Sequence, residues 1–206
     1  MTDPKVLSAQ SIHEFFRELL SLAIENQRAR VQQATELYLA NLLSGFLQTE
    51  SLLVREEDGS LQRRPLALLF KEALEEEGAA RARALRRLGD TSLFVSGMFS
   101  ESLSASLVDV EYAIAMGSRA YDALGEVAAR HGRGGGRSVW EELSAKFSQL
   151  VEVLNEVSER TLATSNAGLL RVYEKWIKTG SPRVATLLSA HGVPAVISRP
   201  KGRFVQ

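Results

Sequence analysis

The chain has no cysteine. That absence excludes a disulfide framework, thiolate metal sites, iron–sulfur ligation and a cysteine nucleophile. Histidine is nearly absent as well. His13, His131 and His191 are the only three, none three or four residues from another, so no helical histidine pair is available to seat a metal ion. Charge of one sign is not in excess, because 25 Lys and Arg balance 25 Asp and Glu. Binding to nucleic acid or anionic lipid through bulk charge is therefore disfavoured. Long apolar runs are missing too: the uncharged stretch Leu37 to Thr49 has 13 residues, against the ~20 a helix needs to cross a bilayer. Met1 to Gln10 carries Asp3, Pro4 and Lys5 in place of the apolar segment of a signal peptide. The expectation is a cytoplasmic protein with no membrane span.

What is present is helix-forming. Leu, Ala, Glu and Arg supply 93 of 206 residues, and all four favour helix. Hydrophobic residues at 45% and charged residues at 24% fit a folded globular chain. Arginine outnumbers lysine 19 to 6, which fits a GC-rich bacterial coding sequence as well as any functional demand. The fold class expected is all-α, a compact bundle of about seven to nine helices with no sheet.

Periodicity places the elements. Ser11-Ile12-His13-Glu14 has the form of a capping box, and Phe15, Phe16, Leu19, Leu20, Ala23 and Ile24 follow at helical spacing. A second helix spans about Gln32 to Gln48. Arg55 to Arg64 reads as a charged loop around Asp58-Gly59, and Pro65 fits the first position of a helix to Glu76. A basic helix from Ala79 is expected to end at Gly89, with Asp90 capping the next. The segment Thr91 to Phe99 lacks charge and carries Ser92, Ser96 and Gly97, so as a helix it must be buried and closely approached.

Asp109 opens a helix to about Arg130 in which Gly117 permits close packing. His131 to Arg137, HGRGGGR, is expected to be a flexible loop. From Ser138, Trp140, Leu143, Phe147, Leu150, Leu154 and Val157 repeat at alternating spacings of three and four, a heptad-like seam. Two more helices follow, Asn166 to Thr179 stopped by Gly180, and Ser181-Pro182 to His191 capped by Gly192. Residues 1–192 then form a single helical domain and 193–206 an extended tail.

Chemistry-bearing patterns are few. No Glu-x-x-His pair supports a di-iron centre, and no G-x-S-x-G elbow supports a serine nucleophile. Glu56-Glu57, Glu75 to Glu77 and Glu141-Glu142 read as solvated surface. Arg133 to Arg137 has the free amides and guanidiniums of an anion cradle but lacks the Lys-Ser or Lys-Thr of a P-loop, so it reads as a connector. Arg81, Arg83, Arg86 and Arg87 are matched upstream by Glu72, Glu75, Glu76 and Glu77, which favours pairing with each other or a protein partner over nucleic acid. The charge-free segment, with Asp90, Ser92 and Ser96, together with Tyr112 and Arg119 seven residues apart, has the polar-in-apolar make-up of a ligand cavity.

Two readings of function follow. The first is a non-enzymatic helical interaction or regulatory protein, self-associating as a dimer or binding a protein partner through Trp140, Leu143, Phe147, Leu150 and Leu154. The second is a bundle that holds a small apolar or anionic ligand, with Tyr112 and Arg119 at its polar end. Neither requires a cofactor or a metal.

Overall fold

The computed structural model describes residues 9–48, 53–55, 61–63, 65–100, 110–130 and 139–194. Among these, nine helices account for almost the whole fold: α1 (Ala9–Asn26), α2 (Gln33–Gln48), α3 (Leu66–Glu75), α4 (Gly78–Met98), α5 (Val110–Arg130), α6 (Val139–Ala145), α7 (Phe147–Leu162), α8 (Asn166–Thr179) and α9 (Pro182–Ala190). The chain is all-helical in class. The one addition lies in the charged loop, where β1 (Leu53–Arg55) pairs antiparallel with β2 (Leu61–Arg63), Val54 opposite Gln62. Three residues a side make it a minimal pairing; the Asp58-Gly59 turn signal lies outside the described residues. No described helix is long and apolar enough to cross a membrane.

Contacts along the chain gather into two compact units, Met1–Val157 and Ser158–Gln206, where the sequence had been read as one domain over 1–192. The expected loop at 131–137, with its arginine and glycine cradle, lies outside the described residues, and so does the tail beyond Pro194.

The first unit is centred on α4, which packs most extensively on α5 and also on α3. Its residues Thr91 to Gly97 are all buried, as a charge-free helix requires. Gly89 was expected to end a helix; instead α4 runs straight through it. The reason is packing: a Cβ at Gly89 would lie 2.6 Å from Cε1 of Tyr121. Two more glycines are closed on in the same way. A Cβ at Gly97 would sit 2.4 Å from Cβ of Leu154, and one at Gly117 2.3 Å from Cζ of Phe147 and 2.7 Å from Cβ of Ser92. Glycine costs a helix about 1 kcal/mol against alanine, and here the cost is offset by helix approach that no larger residue permits.

The seam on α6 and α7 is satisfied within the chain. Leu143, Phe147, Leu150, Leu154 and Val157 are buried, and Trp140 packs at the edge of the same core. These side chains are therefore not an exposed surface; a three-four repeat reports that a stripe is buried without saying what buries it. A local irregularity at Lys146 separates α6 from α7, bridged by Lys146 N to the Glu142 carbonyl at 3.0 Å and Leu150 N to the Lys146 carbonyl at 2.9 Å.

Glu142 corrects the solvated-surface reading, being 2% exposed. It accepts from Lys146 Nζ at 2.7 Å and from the Gln32 amide at 3.0 Å, and Lys146 also donates to the Arg30 carbonyl. Glu156, equally buried, accepts from Asn26 at 2.8 Å and Gln27 at 2.9 Å. The two carboxylates thus satisfy polar groups of the α1–α2 connection, which is what a buried charge needs to be tolerated.

The second unit has its own small core of Val172, Trp176, Val184 and Leu188. Ser165 caps α8 by accepting from the Gly168 amide at 3.1 Å, and Gly180 ends it at φ +63°, a left-handed conformation that glycine adopts without strain. Buried Glu159 binds Lys175 at 2.9 Å and Arg183 at 3.0 Å.

Candidate functional site

Four helices of the first unit converge on one carboxylate. Asp90 sits mid-helix on α4, one turn after Arg86; Tyr38 comes from α2, Tyr121 from α5 and Trp140 from α6. Asp90 Oδ1 accepts from the Tyr38 hydroxyl at 2.5 Å and from the Tyr121 hydroxyl at 2.8 Å. Arg86 Nε donates to the Tyr38 oxygen at 3.2 Å and stands 3.5 Å from Asp90 Oδ2. The guanidinium lies over the rings of Tyr38 and Trp140, 5.3 and 5.8 Å from their centroids. Trp140 meets Tyr38 edge-on at 5.2 Å and lies nearly parallel to Tyr121 at 6.0 Å. The cluster is graded from dry to wet, since Tyr121 is fully buried while the Arg86 side chain is 57% exposed.

Burial sets its electrostatics. Loss of water pushes the Asp90 carboxyl above its ordinary value, opposed by the two tyrosine hydroxyls and Arg86. Burial and then the neighbouring Asp90 charge push both tyrosines well above the ordinary phenol. Neither phenol is thereby suited to give up its proton near neutrality. The arrangement is a set of fixed donors holding one carboxylate, with an arginine at the rim.

Beside it opens a cleft of about 210 Å³ between α2 and α4, lined by Tyr38, Asn41, Leu42, Gly45, Phe46, Arg86 and Asp90. The Phe46 ring rests against Phe94, centroids 4.3 Å apart, which fixes one wall. Gly45, unlike the buried Gly89, Gly97 and Gly117, is exposed, and a Cβ built there meets nothing within 4 Å. A larger hollow of about 500 Å³ is bordered by Arg17, Gln33, Ala34, Glu36 and Leu37. All five are exposed or part-exposed, so no buried polar group faces it.

Of the five residues expected to line a ligand cavity, Asp90 does. Ser92 is fully buried behind Gly117, and Ser96 is buried with its hydroxyl donating to the Ser92 carbonyl at 2.7 Å. Tyr112 and Arg119 share a face of α5 as expected, but that face is exposed. Tyr38, Arg86, Tyr121 and the cleft residues of α2 were missed as site residues. Arg86 was within reach, four residues before Asp90 on a helix once Gly89 is not taken as its end. Tyr38 and Tyr121 carry no local signal; they lie 52 and 31 residues from the carboxylate they bind. The expected pairing of the basic helix with the acidic patch is present in Arg87 and Glu72 at 3.1 Å.

Among the described residues no group of three or more His, Asp or Glu side chains is placed to hold a metal ion. Comparison with known proteins finds no matching family, no matching curated protein and no matching solved structure.

Proposed function

We propose that the chain is a non-catalytic binding module whose first unit holds a small molecule in the cleft between α2 and α4. The observation that carries this reading is the cleft itself, with apolar walls from Leu42 and Phe46 and a preorganised polar corner of Arg86, Asp90 and Tyr38. Ligand sites combine apolar lining with a few fixed polar groups in this way. A binding role is favoured over acid–base catalysis because Asp90 already accepts from two hydroxyls whose own titration is driven away from neutrality. A cytoplasmic setting, expected from the sequence, is part of the proposal. The test is a small-molecule screen followed by amide chemical shifts. Changes should centre on Asn41, Gly45, Phe46 and Arg86; binders that shift only residues elsewhere would remove the cleft as the site.

A second reading, association with a protein partner or a second copy of the chain, has its own support. Leu170 and Ile177 lie seven residues apart on one face of α8 and are 59% and 63% exposed. Replacing Ile177 with Lys should change the solution mass of an assembly that uses this face; an unchanged assembly would exclude it.

A further inference from the structure

We infer that the outward face of α3 docks on α3 of a second copy of the chain, the two helices lying antiparallel across a two-fold axis. This surface is separate from the cleft and from the α8 face, and the inference depends on neither reading.

Apolar excess is the first argument. Seven of the ten residues of α3 are apolar, and only Leu66, Leu69 and Ala73 are buried, on the side that packs against α4. Leu68, Phe70 and Leu74 remain 53%, 42% and 62% exposed, three of the nine large apolar side chains left exposed among the described residues. Ala67, Phe70, Lys71 and Leu74 fall at i, i+3, i+4 and i+7, all exposed, so they form one outward stripe. A helix apolar on two faces has a second surface to bury.

Charge selects what covers it. The stripe is edged by Lys71 and Glu75, one charge of each sign, so a strongly cationic or anionic partner finds no net charge there to complement. Exposed Glu75, Glu76 and Glu77 at the end of the helix also oppose an anionic lipid surface. A copy of the same face does fit. Within the helix, Lys71 and Glu75 stand 3.6 Å apart, beyond hydrogen-bond length, with the lysine ahead of the glutamate, the weaker order for a pair one turn apart.

An antiparallel pair centred near Glu72 sets Phe70 of each copy against Leu74 of the other. The same flank of both helices then meets, so Lys71 of each copy comes opposite Glu75 of the other. A parallel order would instead turn this flank toward Leu66 and Phe70, where no charge stands. The pairing is therefore self-complementary in shape and charge in one order only, as a two-fold interface requires.

Area sets its strength. A ten-residue helix is about 15 Å long, and pairing it along its length buries less than the ~800 Å² per partner of a standard interface. The dimer is then weak and concentration-dependent.

The experiment follows the solution mass of the full chain by sedimentation over a wide concentration range, with circular dichroism on every variant. The wild type should pass from monomer to dimer with a Kd of about 10–100 µM, the weak end for an interface below standard size. Leu74→Lys puts a charge at the apolar centre of both copies and should weaken association at least ~30-fold with unchanged helix content. Ile177→Lys, on α8, should leave the dimer intact. Lys71→Glu alone and Glu75→Lys alone should each weaken it about ten-fold, and an equimolar mixture of the two should restore it, because one copy is then acidic and the other basic at both positions. These two variants change exposed side chains, so they carry the test if Leu74→Lys folds poorly. A wild type that stays monomeric throughout would overturn the inference and leave the cleft reading untouched. A dimer that survives Leu74→Lys, or is lost in Ile177→Lys instead, would remove α3 as the contact. Failure of the mixture to recover would overturn the antiparallel order.

Discussion

Two faces of the first unit use glycine on helices, and only one of them is filled. Between α4 and its neighbours, Gly89, Gly97 and Gly117 are each covered by a side chain closer than a Cβ contact allows. Between α2 and α4, Gly45 looks onto open space bordered by a polar cluster. The filled face shows what a helix glycine is worth when the fold itself uses it: close approach and a dry core. Gly45 is exposed and a Cβ there would meet nothing within 4 Å, so close helix approach does not account for the glycine at that position.

The largest expected effect would come from forcing the filled face to behave like the open one. Gly117→Leu should cost about 3 kcal/mol in urea unfolding, the upper range for overpacking a closed core, because Phe147 and Ser92 occupy the needed space. Gly45→Leu should lose no comparable stability, and similar losses at both sites would erase the contrast. Next in size is the shared carboxylate. Tyr121→Phe leaves a buried acceptor short of a donor and should cost about 1–3 kcal/mol, whereas Tyr38→Phe, beside the cleft where water can replace the hydroxyl, should cost less. Equal costs would mean that the two sides are equally dry. Smaller again, Gly45→Ala should raise stability by up to about 1 kcal/mol from helix propensity alone; a loss in thermal unfolding would show that the chain itself fills this space.

The smallest effect is in pH dependence, where two buried carboxylates of the same unit should act in opposite directions. Asp90 has its folded value raised, so its stabilising contribution is fully present below the unfolded value of 3.8 and is lost as pH rises through the folded value. Burial also opposes the charge on Glu142, but hydrogen bonds from Lys146 and the Gln32 amide prevail and hold its carboxyl below 4.5. Its contribution is present above 4.5 and lost as pH falls through the folded value. Asp90→Asn should therefore remove a decline in stability on the rising side, and Glu142→Gln should remove a decline on the acid side. Slopes of the same sign in both variants would contradict the assignment.

Local patterning made most of the helices legible. Pro65 and Gly180 marked ends that the structure places close by, and Gly117 announced a close approach that Phe147 and Ser92 make. Gly89 misled because a glycine that ends a helix and one that admits a neighbour look alike in sequence; only Tyr121, 32 residues away, distinguishes them. The same limit hid the site. Asp90 was visible as a polar residue beside an apolar segment, but the hydroxyls that hold it come from α2 and α5, and no periodicity in one helix encodes which helix packs beside it. The seam from Trp140 to Val157 was read correctly as buried apolar surface and assigned to the wrong neighbour, because intrachain and interchain burial require the same residues.

The most direct test of the cleft as a ligand site is native mass spectrometry of the wild-type chain and of Gly45→Leu, each produced in the protein's own host and kept undenatured. The expected result is a retained mass of small-molecule size on the wild type that is absent from the variant. The contradicting result is the same retained mass on both, or a wild type that carries only a second polypeptide.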